Sequence, residues 1–170
     1  MKVSATEEYG LRCLMHLAKA HRFGATVTTP DVDAAEGLPP HYAAKLLVTL
    51  RRAGLVQSVR GVKGGVRLAR PPEQITIADA FAALSGTAVR TGACMSPDAD
   101  VACSRSAGCG LRDVWATLTQ IVTGLLSRVT LADLIAGRGN ADAPGSLGAA
   151  LAAARKDAKS ARINIGSNLQ

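Results

Sequence analysis

The chain has few aromatic residues, few cysteines and no long apolar run. Phe, Trp and Tyr make up 3% of its 170 residues, so the aliphatic residues that dominate the 48% hydrophobic content must build the core. No apolar stretch approaches the ~20 residues needed to cross a bilayer. The first ten residues, MKVSATEEYG, lack the apolar segment of a signal peptide. We therefore expect a cytoplasmic, mostly helical protein that does not contact a membrane.

Acidic residues are absent from one window, residues 39–70, which holds seven basic residues. The rest of the chain has equal numbers of acidic and basic residues, so this window accounts for the whole formal net charge of +7. A basic block in an otherwise neutral domain is typical of a surface that binds a polyanion. A generally basic, solvated surface is the alternative, but it would not confine the lack of acids to one window.

Hydrophobic periodicity predicts three helices in the first 54 residues. TEEYGLRCLMHLAKAH has apolar residues at helical spacing, with Ser4 or Thr6 as its N-cap. A short helix follows, with Thr29 as N-cap and Gly37 as its end. LPPHYAAKLLVTLRRAG then forms a third helix, with its basic residues off the apolar stripe.

The next segment, LVQSVRGVKGGVRLARPP, predicts a β-hairpin with a basic tip. Two alternating runs flank Gly61, Gly64 and Gly65, and two prolines follow the second run. A fourth helix, ITIADAFAALSG, comes after it. Short helix, turn, longer helix and basic hairpin together predict a winged helix-turn-helix, whose third helix enters the DNA major groove.

A long apolar stripe begins at Leu111 and a short last helix follows it. We expect the long helix to form a homodimer; packing on its own domain is the alternative. The predicted fold is thus mainly α: a winged helix-turn-helix with a two-stranded β wing, plus a long C-terminal dimerisation helix. Its parts are the DNA-binding domain (1–86), a cysteine-rich loop (87–110), the dimerisation helix and terminal short helix (111–137) and a flexible tail (138–170).

Three of the four cysteines lie in one polar stretch, CMSPDADVACSRSAGC, at residues 94–109. Polar and charged neighbours argue against burial, which leaves metal ligation or a thiol–disulfide switch. The intervals of eight and five residues lack the close Cys pairs of structural zinc sites. Cys13 instead lies among apolar residues of the first helix, where we expect it in the core.

The sequence shows no arrangement that predicts an enzyme. It has no nucleophile–base–acid set and no hydrolase elbow. GVKGG sits in the predicted hairpin rather than between a strand and a helix, so it does not predict a phosphate-binding loop. A DNA-binding protein without a cofactor therefore remains the alternative to a metal-dependent regulator.

Four features of the sequence occur in a distinctive order. They are the segment EYGLRCLMHLA, the segment HYAAKLLVTLRRAGLVQSVRGVKGGVRLARP, the three loop cysteines and the segment TLADLI. Over about residues 1–137 this order resembles the iron–sulfur winged-helix regulators that include IscR, NsrR and RirA. The resemblance implies a homodimeric transcription factor, usually a repressor, that binds double-stranded operator DNA. It also implies that Cys94, Cys103 and Cys109 hold an iron–sulfur cluster, either 2Fe-2S or 4Fe-4S.

The resemblance leaves the fourth ligand and the signal open. IscR-type members place a His where this chain has Arg112, whereas NsrR-type members use an acidic residue of the partner's first helix, matched here by Glu8. Glu8 is our expected fourth ligand; an ordinary first-turn carboxylate or a pair with Arg12 is the alternative, and His16 is a fallback ligand. Glu8 and Arg112 favour nitric oxide as the signal, while the long first cysteine interval, which is nearer to RirA, favours iron status.

The resemblance also assigns the DNA contacts. The start of the third helix lies where family members contact base edges. Ala44 stands where IscR has an acidic residue that contacts bases, so we expect an operator sequence different from that of IscR. Basic residues of the wing should contact phosphates or reach the minor groove. Arg51 is a further candidate, although it could be a solvated helix-end charge. The expected DNA-binding residues are His41, Tyr42, Lys45, Arg51, Arg60, Lys63 and Arg67.

Overall fold

A computed structural model describes residues 3–39, 41–61, 64–86, 110–136 and 148. Within these residues the chain is mainly helical, with one two-stranded antiparallel sheet, which confirms the predicted winged helix-turn-helix class. In chain order the elements are α1 (Ala5–His21), α2 (Thr29–Glu36), α3 (Tyr42–Arg52), β1 (Val56–Val59), β2 (Gly65–Leu68), a 3-10 turn (Pro72–Gln74), α4 (Ile77–Ser85), α5 (Gly110–Leu126) and α6 (Leu131–Ile135).

Four of the helices begin with the same local device, a capping box. A Ser or Thr hydroxyl accepts a hydrogen bond from the backbone N–H three residues on, and the acidic side chain there accepts one from the cap residue's own N–H. The N-cap residues are Ser4, Thr28, Thr76 and Thr130. The prediction of Thr29 as the N-cap of α2 was wrong by one residue. The N-cap is Thr28, because Asp31 lies three residues after it, which is the spacing that a capping box requires.

One hydrophobic core joins the helices and the sheet. α1 contributes a buried stripe that includes Leu14 and Leu17, and α3 packs Leu46, Leu47 and Leu50 against the core. Cys13 is fully buried among these residues, as predicted. The core also needs α6, because Leu131 is fully buried in the same cluster.

The segment after α5 is tied to the segment before α4 by backbone hydrogen bonds. The Ile77 N–H donates to the Val129 carbonyl at 2.8 Å, and the Leu131 N–H donates to the Ile75 carbonyl at 2.9 Å. α6 therefore belongs to the winged-helix core. α5 differs, since only its last residues, Leu125 and Leu126, pack on that core and none of its side chains is buried.

The hairpin forms the wing, and a third segment holds it against the helices. β1 and β2 pair with Val56 opposite Leu68 and Val59 opposite Gly65. Val27 exchanges two backbone hydrogen bonds with Val66, at 3.0 and 2.8 Å. A Cβ at Gly65 would lie 2.6 Å from the Val27 carbonyl oxygen, so only glycine allows this close approach.

Several predictions concern residues outside the described ranges. These are the three loop cysteines, Lys63 at the wing tip, most of the cysteine-rich loop and nearly all of the C-terminal tail. In the described ranges, no helix is long and apolar enough to cross a membrane.

Candidate DNA-binding surface and cofactor ligands

The face of α3 opposite its buried stripe is exposed and basic. Successive helical turns place His41, Ala44 with Lys45, Val48, and Arg51 with Arg52 along this face. Lys45, Arg51 and Arg52 are exposed, and the sequence from residue 39 to residue 70 contains no acidic residue. Three predicted DNA-binding residues, His41, Lys45 and Arg51, therefore share one surface.

The side chain that caps α3 comes from α2. One carboxylate oxygen of Asp33 accepts from the His41 N–H at 3.1 Å, and the other accepts from the Ala43 N–H at 2.9 Å. His41 itself has a left-handed backbone, with φ 66°, which is uncommon for a residue other than glycine. Asp33 thus fixes the start of α3 and the unusual turn before it.

Sequence reasoning missed Asp33, although a signal was present. Residues 38–41 contain no Ser, Thr, Asp or Asn, so α3 has no local N-cap residue. The free N–H groups at its start must then find acceptors elsewhere. An acidic residue in the preceding helix, eight residues before His41, meets that need.

We expect Asp33→Ala to destabilise the protein by about 1–2 kcal/mol, the usual effect of losing a helix cap. Sequence-specific DNA affinity should fall with it, because the first turn of α3 loses its anchor. Asp33→Asn keeps one acceptor oxygen and should show a smaller loss of both. Urea unfolding and DNA titration measure the two effects; equal stability of Asp33→Ala and the parent protein would contradict the assigned role.

Tyr42 points away from the exposed face and towards α1. Its ring meets Tyr9 edge-on, with centroids 5.8 Å apart, and the Arg12 guanidinium lies over Tyr9 at 5.4 Å. Tyr42 is half-buried in this arrangement. Its predicted contact with DNA stays a prediction, but the observed ring packing gives Tyr42 a role in joining α3 to α1.

Two predicted DNA-binding residues belong to the wing that follows α3. Arg60, just after β1, and Arg67, in β2 opposite Gln57, are both exposed. Arg51 donates a hydrogen bond from its guanidinium to the Ser58 hydroxyl at 3.2 Å, which links the end of α3 to β1. The strand register places Ser58 and Arg67 on opposite faces of the hairpin, so this bond joins the wing to α3 without placing Arg67 next to Arg51. Lys63 lies outside the described residues.

Of the expected cofactor ligands, only Glu8 is described. It lies exposed in the first turn of α1, and no ion pair joins it to another described residue. The alternative pair with Arg12 does not form, because Arg12 donates to the Glu36 carboxylate at 2.9 Å and to the Glu36 carbonyl at 2.8 Å. In the described part of the chain, no three potential metal ligands come together.

The other candidates on α1 are engaged elsewhere. His16 Nδ1 lies 3.6 Å from the second oxygen of Glu36, so the fallback ligand faces α2. Burial, together with the smaller effects of the nearby charges of Glu36 and Asp33, raises the pKa of the Cys13 thiol to about 12. Cys13 therefore remains a protonated thiol at neutral pH, unsuited to bind a metal or to react with an oxidant.

Comparison with known proteins gives a consistent result. The family model Rrf2, described as an iron-dependent transcriptional regulator, matches residues 3–137. An HTH-type transcriptional regulator of Mycobacterium tuberculosis is 36% identical over 137 residues, covering 81% of this chain and 83% of the relative. The regulator IscR of Cereibacter sphaeroides is 36% identical over 138 residues, covering 79% of this chain and 87% of IscR.

Two solved structures share the fold. CymR, titled the global cysteine regulator of B. subtilis, has a TM-score of 0.62 and 29% identity, covering 81% of this chain and 98% of CymR. IscR of T. potens has a TM-score of 0.65 and 28% identity, covering 85% and 93% of the two chains. The sequence relatives and the structural neighbours are thus all named as regulators.

Proposed function

The chain belongs to the Rrf2 family of transcriptional regulators, and from this premise we propose that it is a dimeric repressor controlled by an iron–sulfur cluster. As a DNA-binding helix-turn-helix regulator it is not an enzyme. The finer proposal adds three elements: the surface that meets DNA, the residues that hold the cluster and the helix that forms the dimer.

The single observation that carries the proposal is the set of exposed basic residues on α3 and on the wing. Lys45, Arg51, Arg60 and Arg67 are all exposed, and residues 39–70 include no acidic residue. We propose that α3 enters the major groove and that the wing arginines bind phosphates.

The available donors fit an iron–sulfur cluster. Cys94, Cys103 and Cys109 would supply three thiolates, the usual ligands of such clusters. Glu8 would supply the fourth ligand, and its exposed carboxylate is not committed to Arg12. A cluster with one carboxylate ligand offers an iron that is open to nitric oxide, oxygen or a chelator. The signal we propose is therefore nitric oxide or cellular iron status.

α5 supplies the proposed dimer contact. Leu111, Val114, Leu118 and Ile121 recur at helical spacing and are 36–58% exposed. Such a stripe is wide enough to pack against a second copy of the same helix. Since only the end of α5 rests on its own core, most of the stripe is available for that contact.

A regulator without an iron–sulfur cluster, switched by cysteine oxidation or by zinc, is the second candidate. The observation that favours it is the structural likeness to CymR, whose title names it a regulator of cysteine rather than of iron. The same three loop cysteines would then be the reactive or zinc-binding groups. Metal analysis of the purified protein separates the two candidates.

We expect Glu8→Ala to bind less iron and to lose its cluster faster to nitric oxide, without loss of fold, because Glu8 is exposed. Iron content and the rate of absorbance loss after anaerobic purification measure this. Glu73→Ala, which removes another exposed carboxylate, is the matched control and should behave as the parent protein. If Glu8→Ala and Glu73→Ala behave alike, Glu8 is not a ligand.

A further inference from the structure

Two apolar side chains lie on the side of α3 that faces away from the core: Ala44, half-buried near its start, and Val48, exposed in its middle. Val48 is 38% exposed, and it is the one large hydrophobic side chain within helices α1, α2, α3 and α4 that is exposed in the described residues; Phe23, in the loop between α1 and α2, is 85% exposed. Ala44, one turn earlier, lines a groove at the start of α3 together with Thr29, Pro30 and Leu38. The two residues form a small apolar strip along the recognition face.

Folding does not explain this strip. The core-facing positions of α3 are Ala43, Leu46, Leu47 and Leu50, and Val48 faces away from them. Valine is also a weaker helix former than Leu, Lys or Glu, because its branched side chain is restricted against the preceding turn. Neither burial nor helix propensity therefore favours valine at position 48.

The charged residues around the apolar strip indicate which kind of partner it contacts. Exposed Lys45, Arg51 and Arg52 flank Val48, and these cations would be unsuited to an apolar protein partner but suit DNA. In the major groove, the 5-methyl group of thymine is the one apolar group that a base edge presents for specific contact. Charge complementarity brings the DNA to α3, and the apolar strip then meets the base edges.

We propose that Val48, together with Ala44, contacts thymine 5-methyl groups and so sets a preference for A·T pairs opposite the middle of α3. The inference rests on the proposed role of α3 as the recognition helix. It makes Val48 a specificity-determining residue, whereas the wing arginines contribute affinity for any sequence.

The test begins with the full-length protein, purified without oxygen, selecting its preferred sites from a random duplex DNA library. Each thymine of the selected site is then replaced singly by deoxyuridine, which removes only the methyl group. At one or two thymines we expect about fourfold weaker binding, the value of one buried methyl group. Thymines outside the selected site are the internal control and should show no change.

Variants assign the effect to the side chain. Val48→Ala should bind the thymine and deoxyuridine sites about equally at the position that Val48 contacts, because it lacks the methyl groups that would touch the base. Val48→Thr keeps one of them and should retain part of the discrimination. Both variants should remain folded, since position 48 is exposed.

The outcomes separate this inference from the proposed function. A selected consensus whose binding is unaffected by deoxyuridine at every thymine would overturn the inference and leave the DNA-binding role standing. If Val48→Ala still discriminates between thymine and deoxyuridine as the parent protein does, Val48 does not contact the thymine methyl group. A protein that selects no sequence would overturn both the inference and the role of α3.

Discussion

Replacing Arg60 and Arg67 together by alanine is expected to weaken DNA binding by roughly 10- to 100-fold, because two charge-assisted contacts with phosphates are lost. Each lost contact should lower the slope of log K against log salt by about 0.9, so the double variant should lose about 1.8. Both side chains are exposed, so the fold should remain intact. DNA titration at several salt concentrations measures affinity and slope together.

Lys19→Ala is the control for this prediction. Lys19 is an exposed cation on α1, outside the acid-free window, and its removal should leave the salt slope nearly unchanged. A double variant with weaker binding but an unchanged slope would mean that the wing does not bind phosphates. Equal slopes for the double variant and Lys19→Ala would contradict the placement of the wing on DNA.

Leu131→Ala is expected to lower the free energy of unfolding by about 2–5 kcal/mol, the usual range for a fully buried leucine. The effect should be large because Leu131 ties the last described helix, α6, to the core that also holds α1. Typical domains are stable by only about 5–15 kcal/mol, so this variant loses a substantial part of the total. Urea or thermal unfolding gives the value.

Val3→Ala provides the matched comparison. Val3 is 52% exposed, and its truncation should change stability by less than about 0.5 kcal/mol. If Leu131→Ala were as mild as Val3→Ala, α6 would not belong to the winged-helix core. DNA binding by Leu131→Ala at low temperature would show that the loss concerns stability rather than the DNA contacts.

The features that could be predicted from sequence are the local ones. Apolar spacing predicted the buried faces of α1 and α3, and Ser4 was one of the two N-cap residues expected for α1. The one misplaced cap arose because Thr28 and Thr29 are adjacent and only the position of Asp31 decides between them. The basic window predicted that α3 and the wing are both basic, because charge can be counted along the chain.

The features that were missed depend on contacts between elements. Arg12 could have paired with Glu8 one turn away, but packing of α1 on α2 gives it two acceptors on Glu36. The Asp33 cap of α3 is likewise set by how α2 and α3 meet. The apolar strip on the recognition face became visible only when the exposure of Val48 was known.

Cluster-dependent binding of DNA can be measured in a single titration. The visible absorption of the full-length protein, purified without oxygen, is followed together with operator binding while nitric oxide is added. We expect a brown, iron- and sulfide-containing protein whose absorbance and DNA affinity fall together. A colourless protein that contains stoichiometric zinc, or one that binds its operator equally well after bleaching, would contradict it.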